Sequence, residues 1–551
     1  MKLIWNRFRD AAGRFPKQFT VSILLALLLA LMNALVPWGL RQYLQKVTDE
    51  NTYQVILAGI VCFAVYFLIR ILVTISWTIS LDRFGGRYIE SVTLSLERAM
   101  AETSYDQIER MQPGVLRNIM YTDVLNIFRT VGNFVPSSLG ALAVMAASLV
   151  ISFLYEVKMT LFICASILIG LLLSWCSRKV LTHTAGQTNA MLKKHDQWCT
   201  QFVDMLPQIQ QNPVLEYYTE RTSENLHRFI DTSIHEDRKT VFWTGLVNGY
   251  NSLFSILLSA VLAIPVAGNS VSNLVFFTMI SNLVLEQAQT VEQDFQLIVK
   301  NLVSFRNVER VMNLPRTGGD APVPDIRQVS FDHVSFSYTG QVKAADDICC
   351  RFVSGDAVLL KGGNGSGKST FLKLLTGAYV PSEGTIWIND RPLSDYRRAD
   401  LNRKILYISQ EEKCLDETFH TYLELVTAEH IPEERFRELL RFVKLPDDDR
   451  KISGNGASLS VGQRKKLLAM KLFLRFREAD LIILDELTAG LDARTTEKVY
   501  GELFQLAREQ GKILLLVDHK PPDLLHFTGT LEFQEGKLTA KTTDGKDNRR
   551  E

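Results

Sequence analysis

Apolar runs long enough to cross a hydrocarbon core fall near 18–40, 53–79, 133–155, 158–176, 242–265 and 271–290, and none lies beyond residue 300. The pattern predicts six membrane helices, all in the first part of the chain. The sixth is the most polar, with Asn273, Ser281, Asn282, Glu286 and Gln287. The connections at 41–52, 156–157 and 266–270 are short, whereas 80–132 and 177–241 are long and polar. The long connections therefore share one side of the bilayer. Lys2, Arg7, Arg9, Arg14 and Lys17 precede the first run, Arg83 and Arg87 follow the second, and Arg178 and Lys179 follow the fourth. Excess Lys and Arg marks the cytoplasmic side, so both termini are expected there. A basic start before an apolar run also raises the question of a signal peptide, but the run from Phe19 to Leu40 is too long for a signal core and lacks a small-x-small cleavage site. Good helix formers with few breakers around 87–112 and 186–206 carry spans two to five well beyond the bilayer.

After residue 300 the pattern changes. Pro315 to Pro324 reads PRTGGDAPVP, a run of breakers that closes the helical part, and short alternating strand-like runs follow it. The division read from the sequence is a transmembrane domain at 1–314, a linker at 315–325, a second domain at 326–540 and a polar tail at 541–551. Composition refines this only slightly. With 47% apolar residues in a chain of 551, disorder is excluded, and a net charge of +1, from 61 Lys and Arg against 60 Asp and Glu, gives no field that favours nucleic acid. The seven cysteines (Cys62, Cys164, Cys176, Cys199, Cys349, Cys350 and Cys414) have neither zinc-site nor redox-motif spacing and read as reduced thiols.

The chemistry is concentrated in the second domain. A strand-like run, Ala357 to Leu360, leads into Gly362, Gly363, Asn364, Gly365, Ser366, Gly367, Lys368, Ser369 and Thr370, and then into an apolar helical pattern from Phe371 to Leu375. This is G-x-x-x-x-G-K-S between a strand and a helix. The glycines let successive backbone N–H groups turn toward phosphate oxygens, and the helix offers its positive end. Lys368 would reach the outer phosphates and Ser369 would ligate magnesium. A plain glycine-rich turn is the bland alternative, and the flanking strand and helix disfavour it. Further on, Leu481 to Leu484 is a buried-strand pattern that ends in Asp485 and Glu486. Such an ending is common by itself. After a phosphate loop, Asp485 would hold magnesium through water and Glu486 would polarise the attacking water.

Between these motifs lies Leu459, Ser460, Val461, Gly462 and Gln463, then the basic-apolar run Arg464 to Leu468. The five residues resemble the Leu-Ser-Gly-Gly-Gln signature of ATP-binding cassette proteins in four positions, with Val461 in place of a glycine. The resemblance implies that the signature of one subunit closes over ATP held by another, so Ser460, Gly462 and Gln463 would meet ATP in trans at a helix N-terminus. Other residues take the family's order. Tyr338 looks like the aromatic that stacks on adenine, although an ordinary strand tyrosine is the alternative. Gln410 resembles the glutamine that senses magnesium and the membrane domain, Ala489 to Asp492 the dimer-facing loop, and His519 the switch histidine that bonds the γ-phosphate. A lone histidine after a strand is more often structural, so His519 rests on order and spacing.

The membrane half resembles exporter-type half-transporters of the same superfamily more weakly. Tyr105 and Asp106, Pro113 to Leu116 and Asp123 are similar to the first coupling segment, and Asn307 to Val311 to the linker before the cassette. No peptidase domain is expected before the first span. Two departures stand out. Ile452 to Gly456 lacks the glutamate usual before the signature, and the stretch from Gln410 to Leu459 is short for a helical subdomain, as in cassettes of small-peptide or siderophore exporters.

The resemblance implies a membrane all-α six-helix domain joined to an α/β P-loop nucleotide-binding domain with a helical subdomain. It further implies ATP and Mg²⁺ as cofactors, and Glu486, His519, Lys368 and Gln410 as catalytic residues. The expected activity is ATP-driven export of a small peptide, lipid-like or drug-like amphipathic compound, from an integral multi-pass protein of a bacterial inner membrane. A single cassette cannot enclose its own ATP, so a second half-transporter is required. A homodimer is expected because the nucleotide-holding residues are intact, and the altered signature leaves a heterodimer as the alternative. Arg70 in the second span and Glu286 in the sixth either face a polar cargo or form a structural ion pair. The competing readings are an importer of the same architecture, an ATP-gated regulator, and a soluble phosphate-loop enzyme with a buried helical core.

Overall fold

The computed structural model describes residues 9–50, 53–111, 113–263, 271–338, 342–410, 412–487, 491–518, 521–522 and 525–542. Two compact units emerge, one formed by Met1–Ala99 and Met111–Asn313, the other by Met100–Arg110 and Leu314–Glu551. The short segment Met100–Arg110 groups with the second unit, although the sequence division had kept it in the transmembrane domain.

The helices that precede residue 313 are α1 (Pro16–Glu50), α2 (Tyr53–Glu102), α3 (Tyr105–Glu109), α4 (Pro113–Asn118), α5 (Val124–Tyr155), α6 (Val157–Asp204), α7 (Leu206–Gln211), α8 (Leu215–Ala263) and α9 (Val271–Met312). A single π turn, Ile119–Asp123, joins α4 to α5. The apolar runs lie on long helices wherever they are described, with 264–265 of the fifth outside the described residues, and α2, α6 and α8 extend through the polar stretches as the sequence implies. Among the described residues, Pro16–Val47, Tyr53–Glu102, Gly114–Tyr155 and Val271–Met312 are long and apolar enough to cross a membrane, with Val157–Gly170 a shorter apolar helix. The expected fifth span falls on α8, whose apolar end continues into residues outside the described set. On α2, Ile60, Leu68 and Leu72 all point outward and exposed. Such a surface suits hydrocarbon, not water.

Several polar groups of this first unit pair across helices. The Asp123 carboxylate accepts 2.7 Å hydrogen bonds from Ser304 Oγ and Asn307 Nδ2 of α9. Asn301 Nδ2, also on α9, donates to Thr130 Oγ1 of α5 at 2.8 Å. Arg41 donates to Asn273 Oδ1 at 2.9 Å and lies 4.1 Å above the Tyr155 ring.

In the second unit the strands are β1 (Gln328–Ser337), β2 (Lys343–Val353), β3 (Ala357–Gly362), β4 (Glu383–Ile388), β5 (Arg391–Pro392), β6 (Ile405–Ile408), β7 (Leu481–Asp485), β8 (Ile513–Val517), β9 (Gly529–Gln534) and β10 (Lys537–Thr542). The helices are α10 (Lys368–Leu375), α11 (Arg398–Lys404), α12 (Phe419–Thr427), α13 (Glu433–Val443), α14 (Val461–Arg475) and α15 (Ala493–Glu509). One sheet runs β2-β1-β4-β5, antiparallel throughout, and the other runs β10-β9-β3-β8-β7-β6. The central strands β3, β8, β7 and β6 are parallel. Every residue of β7 (LIILD) and β8 (ILLLV) is buried, which explains why both read as continuous apolar runs and not as alternation.

Two cores result. The first lies between the two sheets and centres on Phe371 of α10, stacked on Phe331 at 4.7 Å and against Phe533 at 5.1 Å. The second packs α12, α13, α14 and α15 with β6, β7 and β8. The stretch after Gln410, short as it is, thus holds a helical subdomain with an apolar interior. Helix α3 attaches to the foot of α10, where the Tyr105 N–H donates to Ala378 O at 2.8 Å, and Glu109 accepts from the Tyr379 hydroxyl and pairs with Lys373 at 3.4 Å.

Candidate active site

The register of the parallel strands positions the site. In β8, Val517 pairs with Leu360 of β3 on one side and with Asp485 of β7 on the other. The loop after β3 and the carboxylates after β7 therefore emerge at the same sheet edge. At one strand spacing per step they stand roughly 10 Å apart, with β8 between them. The carboxyl edge of a parallel sheet is where α/β folds place ligands.

The loop itself depends on glycine. Gly362, Gly365 and Gly367 have φ of 150°, 76° and 105°. A Cβ on Gly362 would lie 2.5 Å from Phe533 O, and one on Gly367 would lie 2.6 Å from Ala344 O, so a side chain at either position would displace the loop. Gly363, Asn364, Gly365 and Ser369 stay exposed, while Ser366 and Thr370 are buried. Lys368 Nζ folds over the loop and donates to Gly362 O at 2.7 Å and Gly363 O at 2.9 Å. Ser366 Oγ is buried without a hydrogen-bond partner among the described residues. A buried orphan hydroxyl inside a turn of glycines fits a loop shaped around a polar guest. The Thr370 hydroxyl meets Tyr338 Oη at 3.0 Å, and Tyr338 stands edge-on to Phe336 and Tyr379 with 41% of its surface exposed.

Asp485 is buried, and Tyr407 Oη donates to its Oδ2 at 3.2 Å. Glu486 leaves the strand with φ of 51°, a left-handed backbone that costs a non-glycine residue free energy. Its N–H donates to Val517 O at 2.9 Å, and Gln410 Nε2 donates to its Oε2 at 2.7 Å. Gln410 is held in turn by Lys465, a buried lysine of α14 that donates to Gln410 O at 2.9 Å. Tyr407 and Lys465 are the two supporting residues that pattern reading passed over. Tyr407 looked like one more strand residue, and the only signal of Lys465 was a cation on the apolar side of a helix.

Burial dominates the electrostatics. Desolvation raises the Asp485 pKa above the ordinary carboxylate value, opposed by the Tyr407 hydrogen bond. Desolvation likewise lowers that of Lys465. For a carboxyl whose folded pKa is raised, folding favours the protonated form. The apo fold then gains from this group below its unfolded pKa and loses that gain as pH rises through the folded one. Asp485→Asn should therefore raise the apo melting temperature at pH 8, with little change at pH 3, and a scan of the nucleotide-free chain at both pH values checks it. A lower melting point at pH 8 contradicts the assignment.

The signature segment lies at the exposed start of α14. The Gln463 N–H donates to Ser460 Oγ at 3.2 Å and the Ser460 N–H to Gln463 Oε1 at 3.0 Å, a reciprocal cap that spends both side chains within the chain. Neither side chain, nor Gly462, bonds to the 362–370 loop among the described residues. Val461 is exposed. Asp492 caps α15 through Thr495 at 3.0 Å. His519, Ala489 and Gly490 lie outside the described residues.

Comparison with known proteins matches both parts of the chain. A family model described as ABC transporter transmembrane region matches residues 19–288, and one described as ABC transporter matches 345–489. A beta-(1-->2)glucan export ATP-binding/permease protein of Rhodopseudomonas palustris is 27% identical over 286 residues, 50% of this chain and 47% of that protein. An ATP-dependent lipid A-core flippase of Ralstonia nicotianae is 30% identical over 243 residues, 42% of this chain and 40% of that protein. The matches thus span about half the length of the curated relatives or less. The solved structure of a bacterial Atm1-family ABC exporter with ATP bound superposes with a TM-score of 0.85 at 15% identity, over 96% of this chain and 95% of that one, and shows a shared fold. With membrane region and cassette both matched in one polypeptide, the chain belongs to the ABC transporter family.

Proposed function

We propose that the chain is one half of an ATP-driven exporter that works as a dimer by alternating access. The observation that carries this reading is the Gln410–Glu486 contact at the sheet edge beside the phosphate loop, in a chain whose other unit consists of apolar helices. Glu486 would orient the water that attacks the γ-phosphate, Gln410 would hold that carboxylate in place, and Lys368 would neutralise charge on the outer phosphates. The exposed Ser369 hydroxyl and the Asp485 carboxylate are hard oxygen donors of the kind magnesium takes, and Mg²⁺ held there would offset phosphate charge. Tyr338 would stack on the adenine with its exposed face.

Ser460 and Gly462 would close over the ATP of a second copy, which is why a single chain is incomplete. An identical copy suffices, since this chain carries both a phosphate loop and a signature. ATP-driven closure would then pass to the membrane helices and alternate their openings. The setting is a bacterial cytoplasmic membrane with both termini in the cytoplasm, consistent with bacterial exporter relatives. In the first unit, Asn251, Ser252 and Ser255 of α8 and Asn282, Glu286 and Gln289 of α9 line an open cavity of about 390 Å³. Polar side chains on apolar helices mark a transport path, so the cargo is a small amphipathic compound with a polar or cationic end.

Inside-out vesicles holding the purified chain, challenged with fluorescent amphipathic cations and Mg-ATP, test the reading. Accumulation that needs hydrolysable ATP is expected. ATP-driven loss of preloaded dye from those vesicles contradicts export and favours import.

A further inference from the structure

Within the second unit, the chain that enters the cassette crosses the foot of α10 and leaves a cavity of about 290 Å³. Its walls are mainly apolar, with Leu374, Val380, Ile386, Leu393 and Leu401, and Arg398 projects into it. The Arg398 guanidinium makes one hydrogen bond, Nη1 to Thr376 O at 2.8 Å, and has no carboxylate partner among the described residues. Neighbouring carboxylates make no bond to Arg398 among the described residues. Arg316 at the rim pairs with Glu102 at 3.2 Å, Asp400 faces Arg397 at 3.7 Å, and Asp395 accepts from Ser394 Oγ at 3.2 Å.

Two glycines let the backbone come close to Arg398. Gly377, with φ of 68°, would place a Cβ 2.7 Å from both Arg398 Nη1 and Leu393 Cδ2, and Gly318, with φ of 95°, would place one 3.2 Å from the Arg398 N. Capping the C-terminal end of α10 explains the single bond to Thr376 O. It explains neither the apolar chamber nor the remaining donors of a fork shaped for a carboxylate. A cation set against an apolar wall without a counter-charge is the complement of an amphipathic anion.

We propose that this cavity binds a small amphipathic monoanion, a single-chain carboxylate of about eight carbons, with its headgroup on Arg398 and its chain along Leu374, Ile386 and Leu401. Size sets the chain length. At the ~30 Å³ that one water occupies in the liquid, the volume holds about ten non-hydrogen atoms, which is the size of octanoate.

The test is photolabelling of the full chain in lipid nanodiscs with a diazirine-bearing octanoate, read by peptide mass spectrometry. Saturable labelling is expected on peptides that contain Leu374, Val380 or Leu393, competed by octanoate and not by octanol, which is equally apolar but neutral. In Arg398→Gln the labelling should fall about tenfold, the loss of one charge-assisted contact, while Mg-ATP affinity is unchanged. Equal competition by octanol overturns the proposal whatever the variant does. Undiminished labelling in Arg398→Gln, or competition by dioctanoyl phosphatidate alone, overturns it as well.

Discussion

Glu486→Gln is expected to slow ATP turnover by about 10²–10⁴-fold, the range that a positioned general base contributes. The exchange keeps shape and removes the charge. A glutamine carbonyl at this position can still accept the hydrogen bond that Gln410 Nε2 gives to Glu486 Oε2 at 2.7 Å, and the backbone bond from residue 486 to Val517 O is untouched. The fold and the ATP affinity should therefore persist, and only proton abstraction from water should fail. Phosphate release from the variant in nanodiscs, with Mg-ATP affinity measured in the same preparation, separates the two. Normal turnover would remove Glu486 from the chemistry.

Lys368→Ala should act earlier, on binding. The ammonium rests on the Gly362 and Gly363 carbonyls, which hold it over the loop. A charge-assisted hydrogen bond is worth about 1.5–3 kcal/mol, so its loss should weaken Mg-ATP binding roughly 10–100-fold. Arginine is not expected to rescue it, because a broad planar fork does not replace a compact point charge inside a turn of glycines. Titration with a fluorescent ATP analogue reads the change, and wild-type affinity in Lys368→Ala would mean that the loop does not grip the outer phosphates.

The sequence shows the parts of this site whose chemistry forces a local pattern. A loop that turns through left-handed backbone needs glycine at Gly362, Gly365 and Gly367, and a strand buried on both faces must read as an unbroken apolar run, as β7 does. Those patterns mark the candidate site and the α/β sheet, and long apolar runs mark the helices of the first unit. Contacts between side chains distant along the chain leave no such trace. That Tyr407 holds Asp485, that Lys465 holds Gln410, and that Arg41 sits over Tyr155 beside Asn273 depend on how separate elements pack, and each of these residues is unremarkable in its own segment. The grouping of Met100–Arg110 with the cassette was hidden for the same reason, since the hydrogen bonds at Tyr105 and Glu109 join it to residues around 373–379. The connection after Gln410 looks too short for a helical subdomain by length alone. Two helices of modest size, α12 and α13, build it once α14 and β7 supply the other wall of its core.

The central claim is that the 362–369 loop grips the phosphates of ATP and that a second copy seals them in. Equilibrium binding of Mg-ATP to purified Glu486→Gln, with the mass of the complex followed by light scattering, tests it most directly. The account predicts one ATP for each chain, bound only with magnesium, and a pair of chains locked together at saturation. Nucleotide affinity that ignores magnesium, or full ATP occupancy by chains that stay single at saturation, would contradict it.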